Sequence, residues 1–350
     1  MTDKPIGVGI AGLGNISDVH AQAVTQSDKG RLVSACSSSK DKVREFSDKH
    51  RIKGYTSYSE FLSHPDLDLV SVCTPTGTHL NFAETAAEAG KHIVVEKPVE
   101  VSLDRAKRLI DCCRSNDVKL AVIYQSRFTE DAVNMKNALK RGDIGDIFMV
   151  NASVKWYRDQ EYYTSAPWRG TLLLDGGGAV INQSIHTIDL LQWMLGDADT
   201  IHAFKGTFTH GAIEGEDNAV ASFRLDSGII GTFAASTSVT PPLPRKIEIH
   251  GSRGTAILDD STFRLTNTDT DTSSGKARPA EAASGSASPL ANFKAEAHTN
   301  QFNEIFEAVL SDREPPVTGK DSLKSLAFVT ALYQSAKNGQ PVSVRELLNQ

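Results

Sequence analysis

Through the first third of the chain, short apolar runs alternate with stretches whose apolar positions recur at helical spacing. Ile6 to Ala11, Arg31 to Cys36, Leu69 to Cys73, His92 to Val95 and Lys119 to Tyr124 read as strands. Between them the pattern predicts helices near 16–26, 40–50, 78–89 and 103–115, the last introduced by Ser102 as an N-cap. Strands and helices in this rhythm predict a doubly wound parallel sheet with right-handed crossovers.

After about residue 125 the pattern changes. A helix over 129–141 leads into strands that alternate apolar and polar positions. Ala219, Ala221, Phe223 and Leu225 share one face, and Ile247 and Ile249 alternate with Glu248 and His250. The turn Leu225-Asp226-Ser227-Gly228 predicts antiparallel pairing. Two domains are therefore expected, 1–125 and 126–350, the second an α+β unit with a mostly antiparallel sheet and helices on one face. Residues 268–291, rich in Ser, Thr, Ala and Gly, read as a long mobile loop. Two helices, near 300–310 and 322–337, close the chain.

Composition narrows the function. The length of 350 residues suits two domains, and 39% hydrophobic content supplies real cores. A net charge of −6 gives no footprint for nucleic acid. No apolar run is long enough to span a membrane, and the first residues lack the order of a signal peptide. Cys36, Cys73, Cys112 and Cys113 form neither a disulfide framework nor a metal-binding spacing, so no metal is expected and a reducing cytoplasm is.

Candidate chemistry gathers at strand ends. Gly12-Leu13-Gly14-Asn15-Ile16-Ser17 follows the first strand and opens a helix, with serine in the third glycine place of a dinucleotide fingerprint. The first glycine permits the turn, and the second lets backbone approach a pyrophosphate at the helix N-terminus. The second strand ends Cys36-Ser37-Ser38-Ser39-Lys40, with no carboxylate before Asp41. Hydroxyls and a lysine suit a 2′-phosphate, which favours NADP over NAD. A solvated turn and helix cap would use the same residues. Thr74 and Pro75 end another apolar run and belong at the same edge. Glu96-Lys97-Pro98 closes the run from His92, which places Lys97 where ligands bind in open parallel sheets. Glu96 is placed toward the nicotinamide ribose, and Pro98 fixes the turn.

A second constellation lies downstream. Gly176, Gly177 and Gly178 permit close approach of another backbone or a ligand. A helix is expected from Asn182, with Ile185, Ile188, Leu191 and Leu195 in the core. Asn182 and His186, four apart, share a face that Asp189 could also reach. Histidine titrates near working pH, so the pair suits proton transfer; a cap and a core histidine would look the same. Trp168 and Arg169 could frame a nicotinamide and a phosphate. Gln125, Arg127, Lys155, Tyr157, Arg158, Tyr162 and Tyr163 suit a hydroxyl-rich substrate, with Gln125, Arg127 and Tyr157 preferred.

In their order along the chain these pieces resemble the glucose-fructose oxidoreductase, inositol dehydrogenase and rhizopine-catabolism (Gfo/Idh/MocA) family. His298 with Gln301, and Arg313-Glu314-Pro315-Pro316-Val317, add to the resemblance. It implies a Rossmann domain and an α+β domain with a large open sheet that pairs subunits into homodimers or homotetramers. It also implies hydride transfer between NAD(P) and a carbinol of a sugar or cyclitol. It casts Lys97 as the residue bridging cofactor and substrate hydroxyl, and His186 as acid/base. The family commonly has Asp where this chain has Asn182. An amide cannot take a proton, so Asn182 orients the substrate or His186. Two other classes remain open: a glycosidase using NAD for transient oxidation, and a cofactor-binding regulator without turnover.

Overall fold

The structure, a computed structural model, describes residues 4–260, 262–267 and 295–350. The stretch 268–291 lies outside the described residues. The chain divides into two compact units, one of residues up to 128 with 295–323, the other of 129–267 with 324–350.

The first unit holds β1 (Ile6–Ala11), α1 (Ser17–Thr25), β2 (Gly30–Cys36), α2 (Lys40–His50), β3 (Lys53–Tyr55), α3 (Tyr58–Leu62), β4 (Leu69–Val72), α4 (His79–Glu88), β5 (His92–Val95), α5 (Leu103–Ser115) and β6 (Leu120–Val122). The strands form one parallel sheet in the order β3-β2-β1-β4-β5-β6. β1, β4 and β6 are buried along their whole length, which is why their sequences are unbroken apolar runs. Strand order reverses between β1 and β4, the switch point at which such sheets bind ligands.

The second unit begins with α6 (Glu130–Arg141), β7 (Ile147–Lys155), α7 (Gln160–Thr164) and α8 (Ile185–Leu195). Then come β8 (Ala198–Gly206), β9 (Asn218–Leu225), β10 (Ile230–Ser236), β11 (Lys246–Gly251), β12 (Gly254–Asp259) and β13 (Thr262–Asn267). With β14 (Val342–Ser343) they make a sheet in the order β13-β12-β11-β7-β10-β9-β8-β14. The β7–β10 pair is parallel and the others are antiparallel. Alternation along β9 buries Ala219, Ala221, Phe223 and Leu225 against the helical layer, where Phe328 stacks edge-on against Phe223 and Phe233. The other face leaves Phe148, Phe204, Val220 and Ile230 exposed.

The remaining helices are α9 (Glu296–Leu310), α10 (Gly319–Asn338) and α11 (Val344–Asn349). The sequence pattern grouped everything after 126 together, whereas α9 joins the first unit. Its Phe302, Ile305 and Phe306 enter the core built on Ile10, Val24 and Leu32. No helix of the described residues is long and apolar enough to cross a membrane.

Candidate active site

The turn after β1 is shaped by its two glycines in different ways. Gly12 has φ +94°, and a Cβ there would come within 2.8 Å of the Cys73–Thr74 backbone. Gly14 is exposed, and a Cβ there would meet nothing within 4 Å. The protein itself does not require Gly14 to lack a side chain; a pyrophosphate lying on the N-terminus of α1 does, so the turn fits the dinucleotide that its motif suggests. Asn15 is exposed and Ile16 half-buried beside it, while Ser17 is buried and donates to the Gly14 carbonyl at 2.6 Å.

At the end of β2, Ser39 caps α2 by accepting from Lys42 N–H, which accounts for one hydroxyl of the serine run. Ser38 and Lys40 are exposed, and Ser37 Oγ accepts weakly from Ser39 N–H at 3.4 Å. Arg44 pairs with Asp41 on the surface of α2.

β5 delivers Glu96 and Lys97 to the same edge. Both Glu96 oxygens are engaged within the protein. Oε1 lies 2.9 Å from His20 Nε2, and Oε2 accepts from Lys97 N–H at 3.0 Å. His20 also sets Nδ1 against Ser71 Oγ at 2.7 Å and Cys73 Sγ at 3.3 Å. Burial opposes charge on His20, but the Cys73 sulfur and the Glu96 carboxylate outweigh it and raise its pKa to about 10. Burial likewise opposes ionisation of Glu96, and the His20 bond and charge reverse this, carrying it to about 2. His298, whose ring lies 5.8 Å from that of His20, is driven down to about 4 by burial and by the charge on His20. The result is a buried His20–Glu96 ion pair beneath Lys97.

In the second unit, Ala179–Ser184 forms a wide π turn ahead of α8, so the helix expected from Asn182 begins at Ile185. From Ala179 to Gln192, Asn182 and His186 are the two residues that are not buried. Asp189 is fully buried, with Ser325 Oγ donating to it at 3.4 Å. Two of the three glycines are explained by the protein alone. A Cβ on Gly178 would lie 2.0 Å from the Glu216 carbonyl, and one on Gly177 would lie 2.4 Å from the Tyr333 hydroxyl. Below this contact Glu216 accepts from Val180 N–H at 2.9 Å and Tyr333 O–H at 3.0 Å, and burial pushes its pKa up.

Asn182 stands in a row of polar groups. Its Nδ2 donates to Asp175 Oδ1, while Asp175 Oδ2 accepts from Gly170 N–H at 2.8 Å. Its Oδ1 accepts from Gln183 Nε2 at 2.9 Å. Gln183 Nε2 donates to the Tyr162 hydroxyl at 2.8 Å, and Gln183 Oε1 accepts from Arg158 at 2.9 and 3.2 Å. The Arg169 guanidinium stacks 4.3 Å from the Tyr162 ring centre and 4.7 Å from that of Trp168.

Two family models cover most of the chain. One, an oxidoreductase family with an NAD-binding Rossmann fold, matches residues 6–124, and the other, a GFO/IDH/MocA C-terminal domain, matches 132–257. The WlbA dehydrogenase of Bordetella pertussis, solved with NADH and UDP-GlcNAcA, is 30% identical, covers 98% of this chain and 99% of its own, and superposes with a TM-score of 0.87. The chain belongs to the Gfo/Idh/MocA oxidoreductase family. An oxidoreductase of Bacillus subtilis, YrbE, is 27% identical over 97% of both chains. A myo-inositol 2-dehydrogenase of Thermotoga maritima is 25% identical over 97% of this chain and 99% of its own.

This Gfo/Idh/MocA member is thus an NAD-binding oxidoreductase, and its candidate residues fall into two groups. Gly12, Gly14, Thr74, Glu96 and Lys97 lie at the ends of the adjacent strands β1, β4 and β5, and Gln125 and Arg127 follow β6. Asn182 and His186 lie on one segment of the second unit, Arg169 stacks on Trp168 and Tyr162, and Tyr157 is 39% exposed just beyond β7. Sequence reading gave no role to Asp175 and Gln183, the groups that orient Asn182. The signal for Asp175 was a carboxylate placed directly before the glycine run.

Proposed function

We propose that the enzyme transfers hydride between NADP and a carbinol of a sugar, sugar derivative or cyclitol, with Lys97 and His186 as catalytic residues. The observation that carries this reading is the sheet edge of the first unit. There an open glycine turn, the Thr74–Pro75 turn and Lys97 occupy the carboxyl ends of three neighbouring strands. Gly12, Gly14, Asn15 and Ile16 would hold the pyrophosphate, Ser37, Ser38 and Lys40 the 2′-phosphate, and Thr74, Pro75 and Glu96 the nicotinamide half. Trp168 and Arg169 are assigned to the cofactor as well. When bound, the nicotinamide supplies or accepts the hydride.

Lys97, as ammonium, donates to the substrate oxygen and stabilises the alkoxide as it forms. A ring nitrogen of His186 takes the hydroxyl proton and returns it in the reverse direction. Asn182, its amide held by Asp175 and Gln183, orients a neighbouring hydroxyl. Gln125, Arg127 and Tyr157 complete the substrate contacts. Gln125 Oε1 is buried without a hydrogen-bond partner, an acceptor that a substrate hydroxyl would satisfy.

The inositol and sugar-nucleotide ligands in the names of relatives support a polyhydroxylated substrate. The exposed apolar side chains on the open sheet face support association into dimers or tetramers. Four free cysteines support residence in a reducing cytoplasm. NAD is the second cofactor reading, favoured by the NADH in the WlbA relative. Both cofactors are tested by screening sugars and cyclitols with each and following absorbance of the reduced nicotinamide. A higher kcat/KM with NADP, moved toward NAD by Lys40→Glu, is expected. Equal use of both cofactors by the two proteins removes the 2′-phosphate assignment.

A further inference from the structure

His79, which the mechanism does not use, lies at the start of α4 and is completely buried. Its ring spans two turns. Nε2 lies 3.0 Å from the Thr74 carbonyl, at the end of β4. Nδ1 lies 3.1 Å from the Pro98 carbonyl and 3.3 Å from that of Val99, just past Lys97 at the end of β5. Burial disfavours charge on the ring, so one nitrogen donates to the carbonyl it faces while the other only packs against its own. A second link joins the same two segments. Glu100, also fully buried, accepts from Leu80 N–H at 3.0 Å and from Arg105 at 2.8 Å, while Arg105 donates to the Gly77 carbonyl at 2.9 Å. The Thr74 turn is in turn the backbone against which Gly12 packs.

We propose that His79 is a positioning residue for the nicotinamide cofactor: it ties the Thr74 turn to the Pro98–Val99 turn, so that the strand ends facing the nucleotide move as one surface. This rests on the assignment of the β1 turn to the cofactor. The imidazole contributes both volume and a donor to a closed space, so the two contributions separate by substitution. His79→Phe keeps a ring and leaves the carbonyls without a donor, and His79→Gln keeps a donor without the ring that packs between the turns.

The full-length protein and its variants are titrated with NADPH and with NADH, following nicotinamide emission, and melted without nucleotide. His79→Phe is expected to weaken binding of the preferred nucleotide at least tenfold, with His79→Gln intermediate. Affinity of His79→Phe within twofold of the parent overturns the proposal, as does His79→Gln binding no better than His79→Phe. If His79→Phe does not fold, His79→Gln carries the test, and unchanged affinity in it overturns the proposal. Gly14→Val separates the two layers. If it binds nucleotide normally, the cofactor assignment fails; if it binds weakly while His79→Phe binds normally, the clamp alone fails.

Discussion

Replacing Glu96 with Gln removes one charge from the buried ion pair under Lys97. The His20 side chain is fully buried and that of Glu96 is 12% exposed, so solvent screens the pair little. The fall of Glu96 from its ordinary 4.5 to about 2 measures how strongly the folded protein favours the carboxylate. At about 1.4 kcal/mol for each pH unit this is worth about 3 kcal/mol, the lower end of the roughly 3–5 kcal/mol that follows removal of one partner from a buried pair. The rise of His20 from 6.5 to about 10 also includes the Cys73 sulfur, and the fall of Glu96 also includes the charges of His298 and Lys97, so the figure is for Glu96 in its whole setting. The sign with pH follows from both partners. Glu96 is depressed, so its contribution is present above about 4.5 and fades as pH falls toward 2. His20 is raised, so its contribution is full below 6.5 and fades as pH rises toward 10. Urea denaturation of the parent and of Glu96→Gln between pH 4 and 9.5 checks this. The stability difference should be largest near pH 5–6.5 and shrink toward pH 9.5. A variant as stable as the parent at pH 6, or a difference independent of pH, refutes the assignment of a charged pair.

His186→Ala should lower kcat by roughly 10²–10⁴-fold with nucleotide affinity unchanged; turnover near the parent's removes His186 as the proton carrier. Gly14→Val should cost nucleotide affinity without lowering the melting temperature, because its side chain enters open space. Gly12→Ala should lower stability by about 1–3 kcal/mol, through its φ of +94° and the backbone 2.8 Å away; equal melting temperatures for the two would contradict the geometry of the turn. Asp175→Asn should lower kcat/KM about tenfold while nucleotide binding holds, since it loosens Asn182 and the Gly170 N–H. An unchanged kcat/KM would make Asn182 a bystander.

The parallel sheet was legible because its signals are local. An unbroken apolar run followed by Gly12-Leu13-Gly14, or by Glu96-Lys97-Pro98, marks a strand and the place where it ends. What escaped sequence reading depends on partners distant in the chain. The glycines at 176–178 permit a ligand or a backbone equally, and only the fold shows that Tyr333 and Glu216 occupy the space at Gly177 and Gly178. The π turn before His186 leaves the same apolar spacing as a helix, so its start was placed at Asn182 rather than Ile185. Phe302 and Phe306 mark α9 as amphipathic without saying which core receives them. Nor does alternation within a strand reveal that β7 runs parallel to β10.

The row of groups through Asn182 has a polarity. A carboxylate, which can only accept, closes it at Asp175, and a guanidinium, which can only donate, closes it at Arg158. With both ends fixed, neither amide between them is free to turn over. Asn182 must show nitrogen to Asp175 and oxygen to Gln183, and Gln183 must show oxygen to Arg158. The orientation of the row is therefore set from its two ends, by Asp175 for Asn182 and by Arg158 for Gln183. Exchanging Arg158 for an acceptor would press Gln183 to turn its nitrogen outward and its oxygen toward Asn182 Oδ1, setting acceptor against acceptor, because Asp175 still holds Asn182 in place.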